Sequence, residues 1–284
     1  MKLAGEVVVI TGGASGIGRG TALAMAREGA DVVLADVNDT RLAEVASQIA
    51  GLGRRVLTVH CDVSQDEDVE RLASAAETKL GPVGLVMNNA GVVLRGALQH
   101  VTLEDWQWCL GINVFGVIRG IHAFLPRMIE RRHGYIVNTG SVAGLVALTG
   151  EGAPYIASKF AVVGLTEALA LYARPFGIGV SLLCPGGVNT NLAETGRSIG
   201  MTPDRERAET LAAQAVQGGQ ELQPEQVGDL VVRAVRAEQF LILPDEVHAD
   251  LVRRRSQDLN EFLKFRFAAL DAAGSDKTRT PEQA

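Results

Sequence analysis

Tyr155 and Lys159 stand four residues apart, Ser141 precedes the tyrosine by fourteen, and a glycine-rich run, TGGASGIG at Thr11–Gly18, lies close to the start of the chain. On a helix, residues four apart share a face, so this spacing places the Lys159 ammonium one turn beyond the Tyr155 phenol. A free phenol, with a pKa of about 10, exchanges protons poorly at neutral pH, and a cation fixed a few Å away favours the phenolate and lowers that value. The pattern therefore predicts a tyrosine base, with Ser141 holding the substrate oxygen. For Ser141 the alternative is a helix cap, but its place at a predicted strand end near Tyr155 favours catalysis.

A tyrosine and a lysine at this spacing are common on solvated helices, and the surrounding residues supply the specificity. Pro154 pushes Ala153 toward an extended conformation, while its own fixed φ suits a first helical turn. Tyr155 is thus expected at a helix start, in a segment that runs through Arg174 and stops at Pro175 and Gly177. Around it, short β-branched runs alternate with Ala- and Leu-rich segments of helical period. Strands are predicted at Val7–Thr11, Asp31–Asp36, Arg55–Cys61, Leu85–Asn89, Tyr135–Gly140, Gly179–Cys184 and Phe240–Leu243. Runs such as VVVI and YIVN are nearly continuously apolar, as strands covered by helices on both faces are. The expected fold is α/β and doubly wound around a parallel sheet.

Gly12, Gly13, Gly16 and Gly18 follow the first strand and precede a helix starting near Arg19. Glycine permits a tight turn and close approach of backbone to ligand, and the free N–H groups of a helix start bind anions, so a pyrophosphate fits there. The spacing is G-x-x-x-G-x-G rather than the common G-x-G-x-x-G. Asp36 closes the second strand, where a carboxylate binds ribose hydroxyls and repels a 2′-phosphate; this favours NAD over NADP. Two alternatives bear on it. Asp36 could instead cap the helix beginning near Arg41, beside Asn38, Asp39 and Thr40, and Arg19 could approach a phosphate.

Composition narrows the class. A chain of 284 residues, 47% of them hydrophobic, is long enough to bury a sizeable core in one domain. The net charge of -6 leaves no basic footprint for nucleic acid. Cys61, Cys109 and Cys184 are odd in number and widely spaced, and His60, His100, His122, His133 and His248 show no ligand spacing, so neither a disulfide framework nor a metal site is expected. Met1–Gly5 run straight into the first apolar segment, and no uninterrupted apolar stretch approaches about 18 residues; no export signal and no membrane span are expected, and a reducing cytoplasm fits. Trp106 and Trp108 follow Thr102, a candidate N-cap, and read as packing residues before a substrate cage. The Arg253–Arg255 run lies among acidic residues and reads as a solvated helix face.

With these motifs in view, the chain resembles the short-chain dehydrogenase/reductase family in its compact, non-extended branch, over about residues 2–243. Besides TGGASGIG and Tyr155-x-x-x-Lys159, the family pattern is matched by Asp62, Asn88-Asn89-Ala90-Gly91, Asn113, Ser141, and Pro185-Gly186 with Thr190. The resemblance implies a Rossmann-type seven-stranded parallel sheet in the order 3-2-1-4-5-6-7, with the site beyond the carboxyl ends of the strands. It implies cofactor contacts at Gly12, Ser15, Gly16, Ile17 and Gly18 and at Asp36. Asp62 and Val63 would meet adenine, and Asn89, Ala90 and Gly91 the adenosine ribose. Pro185, Gly186, Val188 and Thr190 would hold the nicotinamide carboxamide. Ser141, Tyr155 and Lys159 are then catalytic, and Asn113 would hold a water in a proton relay, with a structural role as its equal alternative. A turn or strand-end role is the alternative for Asn88-Asn89.

The expected activity is NAD-dependent interconversion of a secondary alcohol and a ketone. An NADPH-dependent carbonyl reductase and a non-catalytic NAD(H)-binding regulator are the alternatives, and an extended-branch epimerase is disfavoured by length and glycine spacing. Candidate pocket residues Leu94, Val146, Leu148, Leu192, Ile199, Met201 and Leu211 favour a bulky hydrophobic alicyclic, terpenoid, steroid or lipid-like substrate. Arg95, Glu151 and Arg197 are polar alternatives that could bind a carboxylate or a hydroxyl, Arg197 in particular suiting an acidic group. The expected organisation is one domain over 1–270, with a lid over about 191–223, an extra amphipathic helix over about 245–270 and a disordered tail from 271. A homodimer or homotetramer is expected, the added helix casting doubt on the tetramer.

Overall fold

The computed structural model describes residues 1–147, 149–200, 221–244 and 246–274. Strand and helix alternate along most of it: β1 (Val7–Thr11), α1 (Gly16–Arg27), β2 (Asp31–Asp36), α2 (Asp39–Gly51), β3 (Val56–His60), α3 (Asp66–Lys79), β4 (Val83–Asn88), a short β5 (Leu94–Gly96) and α4 (Leu103–Leu110). Then come a π-helical turn (Gly111–Phe115), α5 (Gly116–Arg131), β6 (Gly134–Thr139), α6 (Ala153–Ala173), β7 (Ile178–Leu183), β8 (Arg197–Ile199), α7 (Pro224–Ala237), β9 (Leu241–Ile242), α8 (Glu246–Gln257) and α9 (Leu259–Gly274). The main sheet is parallel throughout and has seven strands in the order β3-β2-β1-β4-β6-β7-β9. This is the expected 3-2-1-4-5-6-7 topology, with strand ends moved by one or two residues.

β1, β4 and β6 are buried along their whole length, as their apolar runs require. One side chain in two points to each face. Val8, Ile10, Leu34, Leu85 and Met87 meet α1, α2 and α7 on one side, and Val7, Val9, Val86 and Ile136 meet α3, α5 and α6 on the other. Helices 103–131 and 153–176 have the length and hydropathy of a membrane span. Each turns one face to the sheet, with Phe124, Met128 and Leu169 in the core, while Phe115, Ile118, Leu171 and Tyr172 are exposed.

The backbones of α1 and α7 approach each other directly. A Cβ at Gly20 would lie 2.2 Å from the Pro224 carbonyl oxygen, and one at Gly228 would lie 2.4 Å from that of Gly20. Because α1 presents its N-terminus to the glycine turn, this contact also sets the turn. Gly20→Ala should cost about 1–3 kcal/mol in chemical denaturation, the penalty of overpacking a rigid contact; an unchanged midpoint would show that the helices can part freely.

Two departures from expectation lie outside the main sheet. β5 and β8 pair as a parallel two-stranded ladder, Leu94 with Arg197 and Gly96 with Ile199. Three residues are too few to show alternation in sequence. The single helix expected over 245–270 is instead the pair α8 and α9, broken at Asp258, whose carboxylate accepts from the N–H groups of Asn260 (2.8 Å) and Glu261 (3.1 Å) and so caps α9. Residues 201–220 of the expected lid and the tail beyond 274 lie outside the described residues.

Candidate active site

The glycine turn joins β1 to α1. Gly12 and Gly16 adopt φ of +65° and +50°, which side-chain-bearing residues rarely tolerate, and a Cβ at Gly18 would sit 2.1 Å from the Gly12 carbonyl oxygen. Ser15 is the N-cap of α1 but makes no side-chain cap bond, and no acidic residue occupies the first turn. The leading N–H groups are therefore directed to an outside acceptor, and the turn forms a cradle that a Cβ would fill; a pyrophosphate fits it. Asn89 locks the opposite wall. Its amide donates to the carbonyls of Thr11 (3.0 Å) and Gly12 (3.3 Å), while Thr11 Oγ1 accepts from the N–H groups of Asn89 (2.9 Å) and Ala90 (3.1 Å).

Asp36 stands at the end of β2 with its carboxylate oriented by backbone: Oδ2 accepts from Ala14 N–H (3.1 Å) and Oδ1 from Asn38 N–H (3.1 Å). The cap of α2 is Asn38, which accepts from Arg41 N–H at 3.0 Å. Arg19 faces away from the turn, donating to Glu225 (2.7 Å) and Gln48 (3.1 Å). Asp62 accepts from Ser64 N–H at 2.9 Å, and Val63 is buried against Gly116.

All the expected cofactor contacts except Gly18, Gly186 and Val188 line one cleft. Gly18 backs the glycine turn, Gly186 lies against the ring of His248, and Val188 pairs with Leu222. Ser141 and Asn113 stand behind the lining. Residues not anticipated also face the cleft, among them Val37, Cys61, Ile112, Thr139 and Gly140. The available signal for Thr139 was its position at a strand end on the cleft side.

The candidate catalytic group is assembled from β6, α6 and the π-helical turn. Pro154 opens α6, so Tyr155 lies in the first turn, half-buried at the cleft. Ser141 caps a short 3-10 turn, accepting from Ala143 N–H at 3.1 Å, and is also within hydrogen-bonding reach of the phenol; its two readings coexist. Lys159 is buried, with Nζ 5.7 Å from the centroid of the Tyr155 ring and donating to the Thr139 carbonyl at 3.0 Å. Asn113 is committed to scaffolding. Its Oδ1 accepts from Val92 N–H (2.8 Å), and its Nδ2 donates to Val92 O (2.9 Å) and to Ser158 Oγ (2.9 Å), which in turn donates to Tyr155 O at 2.6 Å. Both Nδ2 protons and one Oδ1 acceptor position are thus spent on structure, and π-helical turns frequently mark functional sites.

The electrostatics correct one expectation. Burial pushes the Tyr155 phenol above its ordinary value, with the Ser141 hydrogen bond and the Arg95 charge pulling it partly back. Burial also pushes Lys159 down, to about 8. Desolvation sets the direction of the phenol's shift, which residue spacing alone does not reveal.

The apolar pocket expected from the sequence is only partly formed by the residues named. Leu192 lines the cleft and Ile199 is half-buried, but Leu94 and Val146 are fully buried, and Leu148, Met201 and Leu211 lie outside the described residues. Arg197 stacks over Trp108 at 4.0 Å and pairs with Asp105 at 3.5 Å, so both it and the tryptophan are engaged in holding β8. Asp105 also completes the capping box of α4 with Thr102. Among the described residues no group of three potential metal ligands converges.

Comparison with known proteins agrees with this geometry. A family model described as short chain dehydrogenase matches residues 6–198. C alpha-dehydrogenase of Sphingobium sp. is 32% identical over 290 aligned residues, covering 96% of this chain and 95% of that protein. The 3beta-hydroxysteroid dehydrogenase 2 of Eggerthella lenta is 36% identical over 219 residues, covering 76% and 82%. A crystal structure of a short chain dehydrogenase/reductase from Burkholderia phymatum in complex with NAD superposes with a TM-score of 0.84 at 37% identity, covering 92% of this chain and 96% of that one.

Proposed function

Since this chain belongs to the short chain dehydrogenase family and is an oxidoreductase of that family, we propose that it interconverts a bulky hydrophobic secondary alcohol and its ketone with NAD. The observation that carries the reading is the convergence of Ser141, Tyr155 and Lys159 beside a cleft whose far end is the glycine turn and Asp36. The bound nicotinamide would accept or return the hydride. In the oxidation direction Tyr155 takes the hydroxyl proton of the alcohol, and in reduction it gives that proton back. Ser141 holds the same oxygen and orients it toward the phenol. Lys159, anchored on Thr139, supplies the positive charge that offsets the burial of the phenolate and binds the ribose hydroxyls. Asn113 keeps the Val92 turn and Ser158 in place around the tyrosine.

Support for NAD comes from Asp36, whose two oxygens are already turned by backbone donors, and from Arg19, which is engaged by Glu225 away from any 2′-phosphate. The related structure that holds NAD points the same way. Support for a hydrophobic substrate is the apolar lining at Val92, Ile112 and Leu192, together with a relative that is a hydroxysteroid dehydrogenase. A non-catalytic regulator is disfavoured by the complete set of Ser141, Tyr155 and Lys159.

The test follows nicotinamide absorbance with NAD and NADP offered separately against steroid, cyclic and short aliphatic alcohols. NAD with a cyclic or steroid alcohol should be the productive pair. Asp36→Ser should lower kcat/KM for NAD by about 10- to 100-fold, the worth of a charged hydrogen-bond acceptor, and raise that for NADP. A wild-type enzyme that prefers NADP would remove the role given to Asp36.

A further inference from the structure

The C-terminal pair α8 and α9 touches the site at three separate places. His248, fully buried on α8, sets its ring where a side chain on Gly186 would be: a Cβ there would lie 2.3 Å from His248 Cε1 and 2.9 Å from Nδ1. Phe262 of α9 is buried with Val142 and Val146, in the segment just after Ser141, and Leu251 and Val252 of α8 pack on the same cluster. The Arg255 guanidinium lies 5.1 Å from the ring centroid of Phe160, the residue that follows Lys159.

These contacts converge on one unit. The Ser141 turn and the Pro185 turn are joined directly, since Val142 N–H donates to Pro185 O at 3.0 Å. On its other side the 186–189 stretch is held by Leu222, whose N–H donates to Gly187 O (3.0 Å) and whose carbonyl accepts from Asn189 N–H (2.9 Å). Between Leu222 and the Ser141 turn, the three atoms nearest to a Cβ built on Gly186 among the described residues all belong to the His248 ring.

We infer that His248 is a positioning residue that holds the Pro185–Gly186 turn in the register required by the nicotinamide end of the cofactor, so that α8 acts as part of the active-site wall. The inference rests on the proposed reading of Pro185–Thr190 as the nicotinamide side of the cleft. Its mechanism is geometric. Gly186 has no side chain of its own to pack, and the imidazole supplies the missing surface. With the ring removed the turn can relax toward it by the better part of an ångström, a displacement large enough to matter at a reacting centre. The glycine turn and Asp36 lie at the other end of the cleft and would not sense the change.

The test uses the full chain and two probes, NADH and ADP-ribose, the latter lacking the nicotinamide. His248→Ala should weaken NADH binding by about tenfold and leave ADP-ribose binding within about twofold. His248→Gln is run beside it, so that a cavity-driven loss of folding in the alanine variant does not decide the question. Gly186→Ala, which drives a methyl into the ring, should weaken NADH by at least about tenfold, and Gly186→Ala/His248→Ala should bind NADH more tightly than Gly186→Ala alone because the collision is gone. Equal losses for NADH and ADP-ribose in both His248 variants, or losses that simply multiply in the double variant, would overturn the inference while leaving the functional reading intact. A wild-type chain that binds neither probe would overturn that reading and this inference with it.

Discussion

Tyr155→Phe should lower kcat by about 10³- to 10⁴-fold and leave NADH affinity within about twofold, the upper range of what a positioned acid–base group contributes. The substitution keeps the ring, its 5.7 Å relation to Lys159 and the first turn of α6, and removes only the oxygen within reach of Ser141. Binding and chemistry are thereby separated. Because burial raises the phenol, its ionised fraction is small at neutral pH, and the wild-type oxidation rate should climb as pH rises. Steady-state absorbance and NADH fluorescence titration of the two proteins, at several pH values, check all of this. A phenylalanine variant with wild-type turnover would assign the proton transfer elsewhere.

Lys159→Met should lose activity by about 100-fold or more and yet unfold later than the wild type at pH 7. The lysine is held inside the protein with its pKa moved from 10.5 to about 8. A shift of that size corresponds to roughly 3 kcal/mol of unfavourable burial of the charged form, from which the bond to Thr139 O, about 1–3 kcal/mol to leave unmade, must be subtracted. A net gain of about 1 kcal/mol is expected. Its pH dependence follows from linkage. Below about 8 both folded and unfolded states carry the proton and the full penalty applies; between about 8 and 10.5 the folded state sheds it first, so wild-type stability rises and the advantage of the variant disappears. Thermal unfolding of both proteins across that range reads the effect. A methionine variant less stable than wild type at pH 7 would mean that the Thr139 bond outweighs the cost of the buried charge. The loss of activity in a more stable protein would show strain retained for function.

Much of this arrangement was legible in the residues because it rests on local chemistry. VVVIT can only be a strand covered on both faces, Pro154 fixes where α6 begins, and four glycines after a strand leave a helix N-terminus open to an anion. The position of Asp36 was readable because it depends on the strand end alone. What escaped depends on contacts between distant segments. The β5–β8 ladder joins residues about a hundred apart over three positions each, and the side chain of Asn113 is committed to Val92, twenty-one residues earlier. Neither leaves a periodic trace. The break between α8 and α9 did have a signal, Asp258 followed by Leu-Asn-Glu in the manner of an N-cap, but the amphipathic pattern running across it masked the boundary. Spacing likewise placed the lysine beside the tyrosine without showing the desolvation of the phenol, so the direction of the phenol shift was read with the wrong sign.

We propose that Tyr155, Lys159 and Ser141 form a working proton-transfer site beside a nicotinamide held by the glycine turn and Asp36. The most direct test is NADH production by the purified wild-type chain from NAD and a panel of cyclic and steroid secondary alcohols, with Tyr155→Phe as the paired control. Turnover with NAD should rise with pH and be lost in the phenylalanine variant, although that variant still binds NADH. Tight NADH binding by the wild type without turnover of any alcohol, or of the matching ketones in reverse, would contradict the proposal and leave a nucleotide-binding protein in place of an enzyme.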